Sequence, residues 1–247
     1  MSITVPDARA EAARAQMLEL FPQGFEEIDG EGGVELVAYT DARGEERLWQ
    51  LFGGARADDV EEGWEERWRA FHKPVRVGEL WVGPPWEEPD EGALAVVIDP
   101  GRAFGTGSHP TTRLCLELLE HLPRGSLLDV GVGSGVLAIA AAKLGFGPVL
   151  GIDVEEAAVQ ATRANAAANA VVVEARLADG AEESLPAADV TVANISLADV
   201  QRLRPDSGHV VTSGYLASEA AELAGYRRSL RREADGWAAD LHEREKL

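Results

Sequence analysis

Cysteine is nearly absent from this 247-residue chain, where Cys115 stands alone. A single thiol excludes an internal disulfide framework and any zinc site built on several thiolates. Long apolar runs are missing too; none approaches the ~20 residues that a bilayer-spanning helix requires. The opening residues, Met1-Ser2-Ile3-Thr4-Val5-Pro6-Asp7, have neither the basic nor the apolar region of a secretory signal. These scarcities predict a cytoplasmic protein. Basic residues are also short, 23 against 43 acidic ones, for a formal charge of −20. A nucleic-acid binder needs a basic face to displace counterions from phosphates. The pairs Arg227-Arg228 and Arg231-Arg232 are too few to make one, so neither a nucleic acid nor a membrane is expected as partner. An acidic chain suits a basic protein partner, which its field attracts and orients. The plainer reading is that the charge keeps it soluble.

What is present is ample apolar material, 45% of residues, enough to bury a real core in one large domain or a medium and a small one. The texture changes twice along the chain. Residues 1–60 read as a small α/β unit. Ile3–Val5 is a strand, and Asp7 an N-cap for a helix over 8–21 carrying Ala12, Ala15, Leu18 and Phe21 on its apolar side. Gly24–Asp29 and Val34–Thr40 read as strands about the turn Gly30–Gly33, Glu45–Phe52 as a helix, and Arg56–Val60 as a last strand. That order is the β-α-β-β-α-β ferredoxin-like pattern. Residues 61–92 form a linking segment, with Trp64, Trp68 and Phe71 on one face of a charged helix, the strand Val75–Val82 and a Pro-rich turn at Gly83–Trp86.

Residues 93–247 alternate between strand and helix. Strands are expected at Ala95–Ile98, Leu127–Val130, Val149–Asp153, Val171–Glu174, Asp189–Asn194 and His209–Ser213. Helices are expected at 110–122, 135–145, 155–168 and 216–224. Such alternation predicts right-handed βαβ units and a mostly parallel, doubly wound sheet. Ligands of such sheets sit at the carboxyl ends of the strands, where strand order reverses.

The chemistry concentrates there. Asp129-Val130-Gly131-Val132-Gly133-Ser134-Gly135 follows one strand and opens a helix, so its glycines let the backbone turn and approach a ligand at a helix N-terminus. A dinucleotide fingerprint would place its third glycine at position 136, which is Val136. The spacing D-x-G-x-G-x-G resembles instead the turn of Rossmann-like, class I S-adenosylmethionine-dependent methyltransferases. Asp153 ends the next strand 20 positions after Gly133, where a carboxylate can accept both ribose hydroxyls. Its alternative job is to cap the helix that follows. No second metal-binding side chain stands at ligand spacing beside His109, so no metal is expected, and His109 reads as a cap or packing group. Cys115, in an apolar helix, reads as a small buried hydrophobe.

The stretch Ile98-Asp99-Pro100-Gly101-Arg102-Ala103 through Thr112, with Phe104-Gly105-Thr106-Gly107-Ser108-His109-Pro110 between, resembles the signature loop of the PrmA family. That family methylates a large-subunit ribosomal protein, number eleven. Trp64–Trp68, Phe71-His72-Lys73-Pro74, Leu80-Trp81-Val82, Gly131–Ala140 and Val192-Ala193-Asn194-Ile195 are similar to its other segments. The resemblance implies that Thr112, Gly131, Asp153 and Asn194 contact S-adenosylmethionine, with Phe104, Gly107 and Gly133 beside them. It implies that Asn194, at its strand end, orients an incoming amine, since a side-chain amide can accept a hydrogen bond. The tetrapeptide Asn194-Ile195-Ser196-Leu197 differs from the Asn/Asp-Pro-Pro-Tyr of enzymes that methylate adenine or planar amides. Against the family pattern, the segment from Asn194 to Ser213 is shorter, and Ser196 replaces an apolar residue.

The implied function is transfer of methyl groups from S-adenosylmethionine to lysine amines, and also N-terminal amines, of the ribosomal protein, which the small N-terminal domain grips. A lysine near its reference pKa of about 10.4 must first lose a proton, which desolvation favours. No residue presents itself as a dedicated base. Three alternatives share the fold: a methyltransferase acting on another protein or small amine, a nicotinamide-dependent oxidoreductase, and a non-catalytic, cofactor-free ribosome-associated module.

Overall fold

The computed structural model describes residues 2–21, 25–30, 33–38, 42–52, 72–99 and 107–245. The chain divides into two compact units, Met1–Trp68 and Arg69–Leu247. In the first, β1 (Ser2–Val5), α1 (Asp7–Leu20), β2 (Glu26–Gly30), β3 (Gly33–Val37) and α2 (Ala42–Phe52) follow in order. β3 lies between β1 and β2 and is antiparallel to both, the split βαβ arrangement of the ferredoxin-like pattern. Ala10, Ala13, Met17 and Phe21 recur at helical spacing and bury α1 against Ile3, Val5, Leu36 and Leu48. Asp7 does not cap α1: Pro6 holds that position without a side-chain bond, and Asp7 is the first helical residue. The strand at Arg56–Val60 and the aromatic stripe Trp64, Trp68 and Phe71 lie outside the described residues.

The second unit opens with a small sheet of β4 (Val75–Val77), β5 (Leu80–Gly83) and β6 (Leu94–Val97), in which β4 is antiparallel and β6 parallel to β5. Thereafter come α3 (Pro110–Glu120), β7 (Leu127–Val130), α4 (Val136–Lys143), β8 (Val149–Asp153), α5 (Glu156–Ala168), β9 (Glu174–Leu177), β10 (Ala188–Asn194), the short α6 (Leu197–Val200), β11 (Ser207–Leu216), β12 (Tyr226–Ala234) and β13 (Trp237–Arg244). Seven strands form one sheet in the order β12-β13-β11-β10-β7-β8-β9. β9, β8, β7, β10 and β11 run parallel, and β13 runs antiparallel between β11 and β12. Successive crossovers move outward from β7 in one direction and then, from β10, in the other. The order therefore reverses between β7 and β10, and their carboxyl ends leave a crevice.

Burial on both faces explains the apolar runs of these strands: Leu127, Leu128 and Val130 on β7, and Val190, Val192 and Ala193 on β10, are all buried. Three expectations shift. The strand placed at Val75–Val82 is instead the β4–β5 hairpin, turned at Gly78, whose φ is +50°. The strand placed at Val171–Glu174 forms three residues later, because Ala170 takes a left-handed turn and Val171 N–H still bonds back to Ala166. No helix forms over 216–224; the end of β11 runs into an irregular segment there. Arg231 donates to the carbonyls of Ala217 and Glu219, and Leu216 N–H donates to Glu219 Oε2, so these backbone groups are taken before a helical turn can claim them. Ala221 and Leu223 are buried from that segment. Among the described residues, no helix is long and apolar enough to cross a membrane.

Candidate functional site

Gly131, Gly133 and Gly135 all have positive φ, +74°, +54° and +85°, and together fold the chain from β7 back into α4. A Cβ on Gly131 would lie 2.3 Å from Ile195 Cγ2, and one on Gly135 would lie 3.0 Å from Thr162 Cγ2. The turn is fixed from β8, whose Ile152 carbonyl accepts from both Gly131 N and Val132 N at 2.9 and 3.0 Å. Asp153 continues that strand. Its Oδ2 accepts from Gly133 N at 2.9 Å, and its Oδ1 accepts from Glu155 N at 3.0 Å just before α5. The acidic strand end thus both ties down the glycine turn and starts the next helix. A carboxylate offers about four lone-pair sites, so two acceptor positions remain.

On the other side of the crevice, Asn194 ends β10 and donates from Nδ2 to Thr112 Oγ1 at 3.4 Å. Thr112 sits in the first turn of α3, buried. His109 caps that helix, its Nδ1 accepting from Thr111 N, and meets the Trp237 ring edge-on at 4.9 Å between centroids. Burial, with Arg113 adding to it, keeps the His109 pKa below the usual imidazole value. Gly107 has φ +91°, and a Cβ there would stand 2.4 Å from Val82 Cγ1. Of the expected site residues, Asp153 and Gly133 are in direct contact, as are Asn194 and Thr112. Gly131 leads into the same turn, with Ile195 of the Asn194 strand end against it. Phe104 lies outside the described residues.

Four polar side chains hold this arrangement, and three of them the sequence did not single out. On α5, Thr162 donates to Gly133 O at 3.0 Å and Asn165 donates to Ser134 O at 2.9 Å. Asn165 Oδ1 also accepts from Asp99 N at 3.3 Å, while Asn169 exchanges two bonds with the backbone of Val97. One helix face thereby grips both the glycine turn and the end of β6 that leads toward Gly107. The residues recur at intervals of three and four along α5 and its C-cap, Asn169, and that spacing is the signal a reader could have used. The fourth is Asp129, wholly buried near the end of β7. One oxygen, Oδ2, accepts from Ala138 N at 3.1 Å. Burial pushes its pKa up to about 7, Ala138 N–H opposes the rise and the charge of Asp153 adds to it. Cys115, on α3, is buried as expected, and burial raises its pKa as well.

An open α/β sheet of this order, with a glycine turn and an acidic strand end at the crevice, defines a class I methyltransferase fold. The chain superposes on the crystal structure of ribosomal protein L11 methylase from Lactobacillus delbrueckii subsp. bulgaricus with a TM-score of 0.59 and 27% identity, over 70% of this chain and 99% of that one. It is 43% identical over 199 residues to the ribosomal protein L11 methyltransferase of Symbiobacterium thermophilum, covering 73% of this chain and 66% of that protein. To the protein of that name from Polynucleobacter necessarius subsp. necessarius it is 39% identical over 237 residues, 87% of this chain and 72% of that one. The sequence model of the ribosomal protein L11 methyltransferase (PrmA) family matches residues 37–234. The chain belongs to that family.

Proposed function

We propose that the chain transfers methyl groups from S-adenosylmethionine to lysine side chains, and to the N-terminal amine, of the large-subunit ribosomal protein L11 in the cytoplasm. The observation that carries the cofactor half is the bond from Gly133 N to Asp153 Oδ2, at the crevice where strand order reverses. It sets an acceptor-rich carboxylate beside a turn with no side chain at Gly131, a cradle a Cβ would fill. In this reading Asp153 takes the ribose hydroxyls with its two remaining acceptor positions. Gly131 and Gly133 admit the cofactor close to the backbone, and Gly107 and Thr112 border it, with Phe104 a further neighbour. The relatives' names carry the substrate half. The net charge of −20 supports a basic protein acceptor.

The cofactor supplies a methyl group already activated on a sulfonium. The chain therefore has only to align a neutral amine with it and keep water out, and alignment alone is worth several kcal/mol. In this reading Asn194 Oδ1 accepts from that amine, while its Nδ2 donates to Thr112. Ser196, where the family pattern has an apolar residue, caps α6 by accepting from Asp199 N at 3.2 Å, which gives the hydroxyl a local use at the rim. The test is radiolabelled methyl transfer onto purified L11, with the labelled residues mapped by mass spectrometry. Label on L11 lysines is the expected result. Binding of S-adenosylhomocysteine without transfer to L11 would favour a methyltransferase acting on another acceptor, and absence of binding the non-catalytic, cofactor-free module.

A further inference from the structure

Asp129 is the one acid in the candidate site whose burial is complete and whose hydrogen bonding is incomplete. Oδ2 is held by Ala138 N at 3.1 Å, whereas Oδ1, also sealed from solvent, has no hydrogen-bond partner among the described residues. Its surroundings can be named element by element. On β8, Gly151 stands opposite it in register and the charged Asp153 follows two residues on; on β10 its register partner is Val192. On α3 the facing group is Cys115, a thiol whose bond goes to Ser213 of β11. From α4 comes the Ala138 amide. The titratable groups coupled to Asp129 are thus another acid and a thiol, and neither balances a carboxylate charge. Asp129 lies two residues before Gly131, on the strand that feeds the cradle, and Cys115 lies one helical turn from Thr112. An orphaned buried carboxyl oxygen on the strand that feeds the cradle favours the neutral acid until a positive charge arrives.

We propose that Asp129 is the charge sensor of the cofactor site: its carboxyl releases a proton to solvent when a sulfonium binds, and the chain thereby prefers S-adenosylmethionine over S-adenosylhomocysteine. This rests on the cofactor reading above. The two ligands share every hydrogen-bonding group and differ by one methyl group and one positive charge. In a low-dielectric interior that added charge favours the ionised carboxyl, and the neutral product does not. Release of the product then follows from loss of the charge that drew the substrate in. The sign is fixed: the acid resists ionisation in the empty protein, so raising pH removes the proton that sulfonium binding must otherwise displace, and affinity for S-adenosylmethionine climbs with pH.

Calorimetry in buffers of different ionisation heat, from pH 6 to 8, counts the protons. With a carboxyl near pKa 7, about half a proton should leave at pH 7 when S-adenosylmethionine binds, beyond any release with S-adenosylhomocysteine. Over that range the affinity ratio should move about tenfold toward S-adenosylmethionine. The α-amino groups of the ligands titrate near 8 and could differ. Asp129→Asn isolates them: the variant should lose the part of the extra proton and of the pH slope that Asp129 supplies, leaving only what the ligands' amino groups contribute. If that variant does not fold, carboxyl ¹³C titration of the wild-type protein reads Asp129 directly, with its pKa falling on addition of S-adenosylmethionine and not of the homocysteine. Equal proton counts for both ligands, or a slope as steep in Asp129→Asn as in the wild type, overturns the proposal while leaving the cofactor reading intact. Failure of both ligands to bind overturns both.

Discussion

Asp153 answers to two neighbours before any ligand arrives, since one oxygen holds Gly133 N and the other Glu155 N. Asp153→Ala therefore removes a charged acceptor from the turn as well as the proposed ribose contact. Affinity for S-adenosylhomocysteine should fall by about 1.5–3 kcal/mol, the range for hydrogen bonds to a charged group. Calorimetry measures it, with circular dichroism as the check on fold; unchanged affinity in a folded variant removes Asp153 from the site. The glycines allow a sharper contrast. A valine at Gly131 would strike Ile195 and fill the cradle, whereas a Cβ on Gly145 meets nothing within 4 Å. Gly145 instead closes α4: its φ is +95°, its N–H bonds Ala142 O and Phe146 N–H bonds Ala141 O, the paired bonds of a left-handed helix cap. Gly145→Val should cost melting temperature and spare ligand affinity, while Gly131→Val abolishes binding. Equal affinities in the two variants would contradict the cradle.

At the scale of elements, α5 ties the glycine turn to the end of β6. Asn165 joins Ser134 O to Asp99 N, and it is almost fully buried. Asn165→Ala leaves a carbonyl and an amide without that partner, a loss of about 1–3 kcal/mol in urea unfolding. It should also weaken S-adenosylhomocysteine binding, because the turn and the end of β6 lose their common tether. A stability loss with affinity unchanged would show that α5 supports the core alone. The contrast between α5 and the glycine turn explains what the sequence made legible. Gly131–Gly135 announces itself because glycine spacing states a backbone requirement, and β7 and β8 run Leu127–Val130 and Val149–Asp153 as read from their apolar runs. Thr162, Asn165 and Asn169 hid because a polar residue on a helix reads as solvated until its neighbours are known. The β12–β13 hairpin hid for a related reason. Its arginines interrupt the apolar alternation, and their partners, Asp240 and Glu243, become visible only once the strands pair. The alanine-rich 216–224 read as helix on propensity, yet a single helical turn is a costly nucleus, and Arg231 takes its carbonyls.

For the whole molecule, the division into Met1–Trp68 and Arg69–Leu247 leaves the glycine turn, Asp153, Asn194 and Thr112 all in the second unit. The first unit has its own core around Met17, Leu36 and Leu48 and supplies none of those residues. A chain beginning at Arg69 should therefore bind S-adenosylhomocysteine with the affinity of the full protein. Its methyl transfer to L11 should fall tenfold or more, a loss of about 1.4 kcal/mol or more, because binding energy remote from the reacting amine normally positions it. Charge adds an independent handle. If an acidic protein captures a basic one, kcat/KM of the full chain should decline as salt rises, since the screening length shrinks from about 10 Å at 0.1 M to about 3 Å at 1 M. Affinity for S-adenosylhomocysteine, which carries no net charge, should change far less over the same series. Comparing the two lengths of chain across that series separates docking from chemistry. A shortened chain that methylates L11 at the full rate, with the same salt slope, would place recognition in the second unit and leave the N-terminal fold without the gripping role that the family resemblance implies.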